Sequence, residues 1–238
     1  MLLAAGFGTR MRPLTEQIPK PLLPLGGCAL IDRALDRLSD AGVGEVVVNA
    51  HWRVERLVAH LAARQGKPAT RIRSEPELLD TGGAVAAALA EGVLGPEPFF
   101  VVNGDVLWLD GPRPALARLA ERFDPAQHDA LLLVHRTTQV QGEVGFGDFV
   151  LDPMGTVRWR KEREIAPYVY AGIQLVRPAL FRHPPGARFG MGVVWTRAIE
   201  EGRLAAIVHD GLWFHLSSPS DLVEAEWNLG ARQTGRSR

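Results

Sequence analysis

Short apolar runs alternate with amphipathic stretches through the first 135 residues of this 238-residue chain. That alternation restricts the fold more than any other feature, because it is the pattern of βα units feeding a mostly parallel sheet. The strand candidates are Met1–Ala4, Glu45–Ala50, Thr70–Ser74, Phe99–Asn103 and Ala130–Val134. Helices are expected between them. In Ala29–Ala41 the residues Ile31, Ala34, Leu35 and Leu38 follow i, i+3, i+4, i+7, and Gly42 suits a left-handed stop. Val54, Leu57, Val58 and Leu61 repeat that spacing. After about residue 137 the texture changes to short β-like segments, Val144–Leu151, Thr156–Arg160 and Tyr168–Val176, which read as a lid or acceptor-binding region laid over the sheet. A helix over Val193–Glu201, strands at Leu204–Val208 and Trp213–Leu216, and a closing helix over Pro219–Leu229 complete the pattern. The last residues, 231–238, lack apolar periodicity and are expected to fray as a flexible tail.

Length and composition bound the function. A chain of this size can bury the core of one large domain, and contents of 46% hydrophobic and 23% charged residues are those of an ordinary globule. Lys plus Arg equals Asp plus Glu at 27 each, so no global field favours nucleic acid or an anionic membrane, and any anion site must be local. The single cysteine, Cys28, excludes an internal disulfide and fits a reducing compartment; as a residue it reads as a small apolar filler rather than a nucleophile. No stretch approaches the roughly eighteen apolar residues of a membrane span, and Met1–Ala5 is too short for a signal sequence. The expectation is a cytoplasmic protein with neither nucleic-acid nor membrane partners, a monomer or small homo-oligomer.

The segment Leu3–Pro21, LAAGFGTRMRPLTEQIPKP, supplies the local anion site. Gly6 and Gly8 follow the first strand; lacking a Cβ, they let the backbone approach a ligand and turn amide N–H groups toward an anion. Arg10 and Lys20 add fixed positive charge, and Pro19 and Pro21 restrict where Lys20 is carried. Together these are the parts of a polyphosphate grip. The dinucleotide fingerprint fails, since its third glycine would fall at Met11, and a Walker loop fails because Lys20 follows proline. Two glycines alone could belong to any strand-to-helix turn.

What separates the two readings is a carboxylate further along. Phe99–Asn103 reads as a buried strand that runs into Gly104 and Asp105, and ligands of open α/β sheets bind beyond the carboxyl ends of the strands. Asp105 is thereby placed beside the glycine loop, where it could hold Mg²⁺ against phosphate oxygens; by itself, Asn-Gly-Asp is also a common turn. No Ser-His-Asp set, G-x-S-x-G elbow, H-E-x-x-H or clustered Cys and His appears. A phosphoryl-type displacement by a sugar phosphate needs none of them, because a phosphate monoester with its second pKa near about 6 is already ionised. Alignment and charge neutralisation then remain, the tasks of Arg10, Lys20 and a metal on Asp105.

Through these residues the chain resembles the sugar 1-phosphate nucleotidyltransferase family, whose opening motif is L-A-A-G-x-G-x-R-M-x-P-L-T followed by P-K-P. Further matches are Leu79-Asp80-Thr81-Gly82-Gly83, the Asn103-Gly104-Asp105 tip, Gly145-Phe146-Gly147-Asp148-Phe149, Tyr170-Ala171-Gly172-Ile173 and Trp213. Within the family it is most similar to the N-acetylmuramate 1-phosphate uridylyltransferase branch of cell-wall recycling. The resemblance implies a Rossmann-like, mostly parallel sheet flanked by helices with a small β-rich acceptor-binding region, the nucleotide-diphospho-sugar transferase type. It divides a single domain, 1–230, into a nucleotide-binding half (1–136), a sugar-phosphate-binding region (137–218) and the closing helix (219–230). It implies that Ala5, Gly6, Gly8, Thr9 and Arg10 hold nucleotide phosphates, with Lys20 on the α-phosphate or the incoming sugar phosphate. Thr81, Gly82 and Gly83 would floor the base, Asn103 would touch the ribose and Asp105 would bind Mg²⁺ or Mn²⁺. Asp148, Glu162 and Gln174 are candidates for the sugar side, though ordinary surface polarity explains them equally. Asn49, His51 and Trp52 follow a strand and could edge the pocket.

One departure bears on the metal. Many relatives read W-x-D-V-G-T near the end and use that Asp as a second metal ligand, whereas this chain has Trp213-Phe214-His215-Leu216-Ser217-Ser218. His215 either ligates the metal, where imidazole suits Mn²⁺ better than Mg²⁺, or contacts phosphate. The implied activity joins a nucleoside triphosphate to a sugar 1-phosphate and releases pyrophosphate, with UTP and N-acetylmuramate 1-phosphate as the expected pair. The alternatives are a mannose 1-phosphate guanylyltransferase, a glycosyltransferase using a nucleotide sugar, and a catalytically weakened regulatory paralogue.

Overall fold

A computed structural model of the chain describes residues 1–140 and 145–235. In chain order its elements are β1 (Leu2–Leu3), β2 (Pro24–Leu25), β3 (Cys28–Ala29), α1 (Leu30–Asp40), β4 (Glu45–Ala50), α2 (Val54–Ala63), β5 (Ala69–Ser74), α3 (Asp80–Ala90), β6 (Phe99–Asn103), β7 (Leu107–Leu109), α4 (Ala115–Arg122), β8 (Ala130–Arg136), β9 (Phe149–Leu151), β10 (Val157–Trp159), β11 (Tyr168–Val176), α5 (Met191–Glu200), β12 (Leu204–Val208), β13 (Leu212–Phe214) and α6 (Pro219–Gly235).

The main sheet runs β10-β9-β11-β6-β1-β4-β5, and β8 extends it from β11 to β12. Strands β5, β4, β1 and β6 are mutually parallel, as are β8 and β12, while β11 is antiparallel to β6 and β8. The expected mostly parallel α/β sheet is therefore present. Short β1 sits at its centre with Leu2 opposite both Val48 and Val102, so its carboxyl end delivers the glycine loop to the middle of the sheet.

Each face carries its own apolar layer. On one, Ile31, Ala34, Leu35 and Leu38 of α1, Leu57 and Leu61 of α2, and Leu116 and Leu119 of α4 pack on Leu2, Val48 and Val102. On the other, Ala84, Val85 and Ala88 of α3 and Val194 and Trp195 of α5 cover Val47, Val101 and Val134. A third cluster, with Met11, Leu25, Leu30, Leu107, Phe214 and Ala225, roots the glycine-loop segment against the last strand and α6. Every residue of the i, i+3, i+4, i+7 set in α1 is buried, as its periodicity requires.

The differences from the sequence pattern have local causes. A hairpin, β2–β3, precedes α1 and moves its start from Ala29 to Leu30. Strand β13 begins at Leu212 and ends at Phe214, two residues short of the expected Leu216, because its length is set by the unforeseen partner β7. Helix α5 starts at Met191 rather than Val193 because the Thr81 hydroxyl accepts the Met191 N–H at 2.9 Å, capping the first turn from a distant helix. Helix α6 continues to Gly235, beyond the expected end at Leu229; Gly230 lies inside it, and a helix-interior glycine weakens a helix by about 1 kcal/mol without ending it. Val144, expected to open a strand, and 236–238 of the tail lie outside the described residues; the described strand there is β9, from Phe149. Among the described residues no helix is long and apolar enough to cross a membrane.

Candidate active site

The glycine loop is held by its own sequence. Gly8 has φ +61°, and a Cβ there would stand 2.9 Å from Thr15 Cγ2 and 3.0 Å from Lys20 Cβ. Its carbonyl accepts the Met11 N–H at 2.9 Å and the hydroxyl of buried Thr15 at 2.8 Å. Gly6, by contrast, meets nothing within 4 Å of a built Cβ, so the space above it is open. Behind the loop, Asn49 at the end of β4 accepts the Ala4 N–H at 2.8 Å, and Trp52 donates from its indole to Thr15 O at 3.1 Å.

Two cavities meet at the carboxyl edge of the sheet. The first, about 310 Å³, is walled by Ala5, Gly6, Gly8, Thr9, Asn49, Glu75, Asp80 and Thr81 among others. The second, about 500 Å³, is walled by Gly145, Asp148, Tyr170, Gly172, Trp213 and His215 among others. Four residues, Arg10, Lys20, Asn103 and Asp105, belong to both walls. At this seam Lys20 Nζ donates to Asp105 Oδ2 at 2.7 Å, with the Lys side chain 12% and the Asp side chain 36% exposed.

The second cavity owes its shape to an irregularity in β11. The register with β8 shifts between Tyr170 and Ile173, a bulge of the sort that re-aims a strand beside a site. Ala171 O in that bulge accepts the Trp213 indole N–H at 2.9 Å, and Asp148 accepts the Tyr170 N–H at 2.8 Å. His215 faces the seam. Burial, followed by the charge of Arg10, lowers its pKa, with Lys20 acting in the same direction against Asp221 and Asp105, so the imidazole is neutral at pH 7.

Most of the sequence candidates converge here, but not all. Ala5, Gly6, Gly8, Thr9, Arg10, Lys20, Thr81, Asn103, Asp105, Asp148 and His215 line one or both cavities. Glu162 is exposed and lines neither. Gln174 is 1% exposed in the core, where its Oε1 accepts the Trp195 indole N–H at 2.9 Å; strand alternation turns it to the face shared with Val176 and α5. Gly82 and Gly83 have another use than flooring a base. Both N–H groups donate to Phe189 O at 2.9 Å, and a Cβ would strike the Phe189 ring at 2.5 Å or Ala187 O at 2.3 Å. Their missing side chains admit the 187–189 segment. His51 and Trp52 lie behind the loop, packed edge-on against Phe7.

Two acidic wall residues, Glu75 and Asp80, are not among the sequence candidates, whereas Asn49, a candidate for the pocket edge, does line the wall. Glu75 is buried at the end of β5, Asp80 takes φ +62° at the start of α3, and Asn49, weighed only as a possible rim residue, ties the loop to β4. The one available signal was Asp80, next to Thr81-Gly82-Gly83 in a motif already singled out.

Among the described residues no group of three or more His, Cys, Asp and Glu gathers as a metal cage. Asp105 offers one hard carboxylate, partly exposed at the seam. A Mg²⁺-type ion takes one or two carboxylates and completes its shell with substrate phosphates and water. Asp105 fits such an ion arriving with a nucleotide, and neutral His215 is a second donor of softer character.

The comparisons agree with this geometry. A family model described as the MobA-like NTP transferase domain matches residues 1–210. N-acetylmuramate alpha-1-phosphate uridylyltransferase of Caulobacter vibrioides is 40% identical over 233 residues, covering 96% of each chain. Its counterpart in Neisseria meningitidis serogroup B is 34% identical over 235 residues, covering 97% of this chain and 98% of the other. The fold matches that of a UDP-glucose pyrophosphorylase complexed with UDP-glucose, with a TM-score of 0.79 over 97% of both chains at 18% identity. The chain belongs to the MobA-like NTP transferase domain family, among the sugar 1-phosphate nucleotidyltransferases.

Proposed function

We propose that this protein transfers uridine monophosphate from UTP to N-acetylmuramate 1-phosphate, in the cytoplasm, in the recycling of cell-wall sugar. The observation that carries the reading is the shared seam: two cavities, one walled by the glycine loop and one by the β11 bulge, have Arg10, Lys20, Asn103 and Asp105 in common. A reaction that joins two phosphorylated substrates needs two compartments with cations where they touch. The full-length match to two N-acetylmuramate alpha-1-phosphate uridylyltransferases supports the choice of pair.

In this reading the first cavity holds the nucleotide, with loop amides and Arg10 on its phosphates, and the second holds the sugar 1-phosphate beside Asp148. An oxygen of the sugar phosphate attacks the α-phosphorus; the new P–O bond forms as the bond to pyrophosphate breaks, and the electron pair leaves with pyrophosphate. The nucleophile is already ionised, so no side chain has to take its proton. Arg10 and Lys20 neutralise charge on the phosphates and align them in line. Asp105, with His215 near, would hold a divalent ion, which when bound supplies further neutralisation of the phosphate oxygens.

Pyrophosphate release measured across four nucleoside triphosphates and several sugar 1-phosphates, with Mg²⁺ and Mn²⁺ run separately, tests the reading. UTP with N-acetylmuramate 1-phosphate is expected to give the highest kcat/KM by at least about tenfold, equivalent to roughly 1.4 kcal/mol of discrimination. A different preferred pair overturns the substrate assignment, and no release with any pair overturns nucleotidyl transfer.

A further inference from the structure

Glu75 is a carboxylate placed where a ligand would be expected, yet it is closed to one. It belongs to the wall of the first cavity, but its side chain has 0% exposure. A charge is buried only where partners compensate it, and here each partner belongs to a different structural element. Oε1 accepts Asn49 Nδ2 at 2.9 Å and Arg73 Nη1 at 3.2 Å. Oε2 receives the Leu79 N–H at 3.4 Å. Arg73 is held in turn by both oxygens of Glu91, at 2.8 and 2.6 Å.

The chain of bonds continues to the glycine loop. Asn49 donates to Glu75 through its amide nitrogen and uses its oxygen to accept the Ala4 N–H at 2.8 Å. The Glu75 carboxylate therefore fixes which way the Asn49 amide points, since a flipped amide would set oxygen against oxygen at Glu75 and N–H against N–H at Ala4. On its other side the carboxylate meets Leu79, directly before Asp80, whose left-handed backbone and bond to the Thr81 N–H at 2.6 Å shape the opposite wall. Ala4 leads into the loop amides and Leu79 leads into α3. One buried side chain thus joins both flanks of the first cavity with no exposed surface of its own.

We propose that Glu75 is the positioning residue of the first cavity, acting through Asn49 on the glycine loop and through the Leu79 amide on the start of α3. The proposal rests on the reading that this cavity takes the nucleotide. It assigns Glu75 no contact with base or phosphate. Loss of the carboxylate should loosen nucleotide binding and leave the second cavity, built on β11 and Trp213, as it was.

The test compares wild type, Glu75→Gln, Glu75→Leu, Asn49→Ala and the Glu75→Leu/Asn49→Ala double variant. UTP with Mg²⁺ and N-acetylmuramate 1-phosphate are the probes, and KM is measured for each. Glu75→Gln keeps an acceptor for Asn49 and should stay within about threefold of wild type for UTP. Glu75→Leu and Asn49→Ala should each raise the UTP KM by at least about tenfold, with the sugar-phosphate KM within about twofold, and the double variant should fall short of the product of the two single effects, since they share the Asn49 route. Equal rises in both KM values, or a UTP KM unchanged in Glu75→Leu, overturn the proposal. So does Glu75→Gln as damaging as Glu75→Leu, or full additivity in the double variant. Should Glu75→Leu not fold, Asn49→Ala and Glu75→Gln decide, because the first must show the split and the second must not. Wild type that neither binds nor turns over UTP defeats the reading of the cavity and is told apart from these outcomes by its own titration.

Discussion

At the scale of single residues, the two loop glycines do different work although the motif writes them alike. Gly8 is required by the backbone: φ is +61°, and Thr15 and Lys20 occupy the space of a side chain. Gly6 is required by nothing in the protein itself, since no atom lies within 4 Å of a built Cβ. Gly8→Ala is expected to cost about 1–2 kcal/mol from the left-handed conformation alone, lowering the melting temperature by several degrees. Gly6→Ala should melt within about 2 °C of wild type but raise the KM for UTP, because its methyl enters the open face on which phosphate would lie. A thermal melt paired with a KM measurement separates the two, and an unstable Gly6→Ala with normal KM contradicts the assignment. Arg10, Lys20 and Asp105 could be singled out along the chain because their charges follow a glycine loop or a strand tip, and Asn103 through the family resemblance; all four line both cavities. Glu75 was not legible, since its partner Asn49 is brought near only by the pairing of β4 with β5.

Between elements, α3 and the segment before α5 interlock closely. Gly83 faces Ala187 O at 2.3 Å from a built Cβ, and that oxygen is backbone, which cannot swing aside. Helix propensity alone would favour Gly83→Ala by about 1 kcal/mol. The clash reverses the sign, and denaturant unfolding should show a loss of at least about 2 kcal/mol; a neutral or stabilising result would mean that the 187–189 segment is not docked there. The same interlock explains how Thr81 caps α5 from 110 residues away. Strands and helices with clear periodicity, such as α1 and β4, could be read along the sequence. The β7–β13 pair, the bulge in β11 and the docking of Phe189 on α3 could not, because each depends on a partner distant in sequence rather than on a local pattern.

Across the whole molecule, several histidines are held below their ordinary pKa by burial. His135 and His209 are 1% and 0% exposed with ring centroids 5.7 Å apart, and burial lowers both, as it does His128 and His215. Each folded pKa lies below the unfolded value of 6.5, so below that pH the unfolded chain binds more protons and folding weakens. The melting temperature should fall steadily as the pH drops below about 6.5, with a shallower fall in His135→Phe. An acid limb equally steep in that variant would place the titration elsewhere. Finally, the seam of Arg10, Lys20, Asn103 and Asp105 implies something about departure. A finished nucleotide sugar, one diphosphate with a head in each chamber, forfeits its freedom of movement once while being gripped twice. In the proposed reaction such a product is expected to leave slowly, and a pre-steady-state burst of pyrophosphate would show its escape to be the slow stage of the cycle.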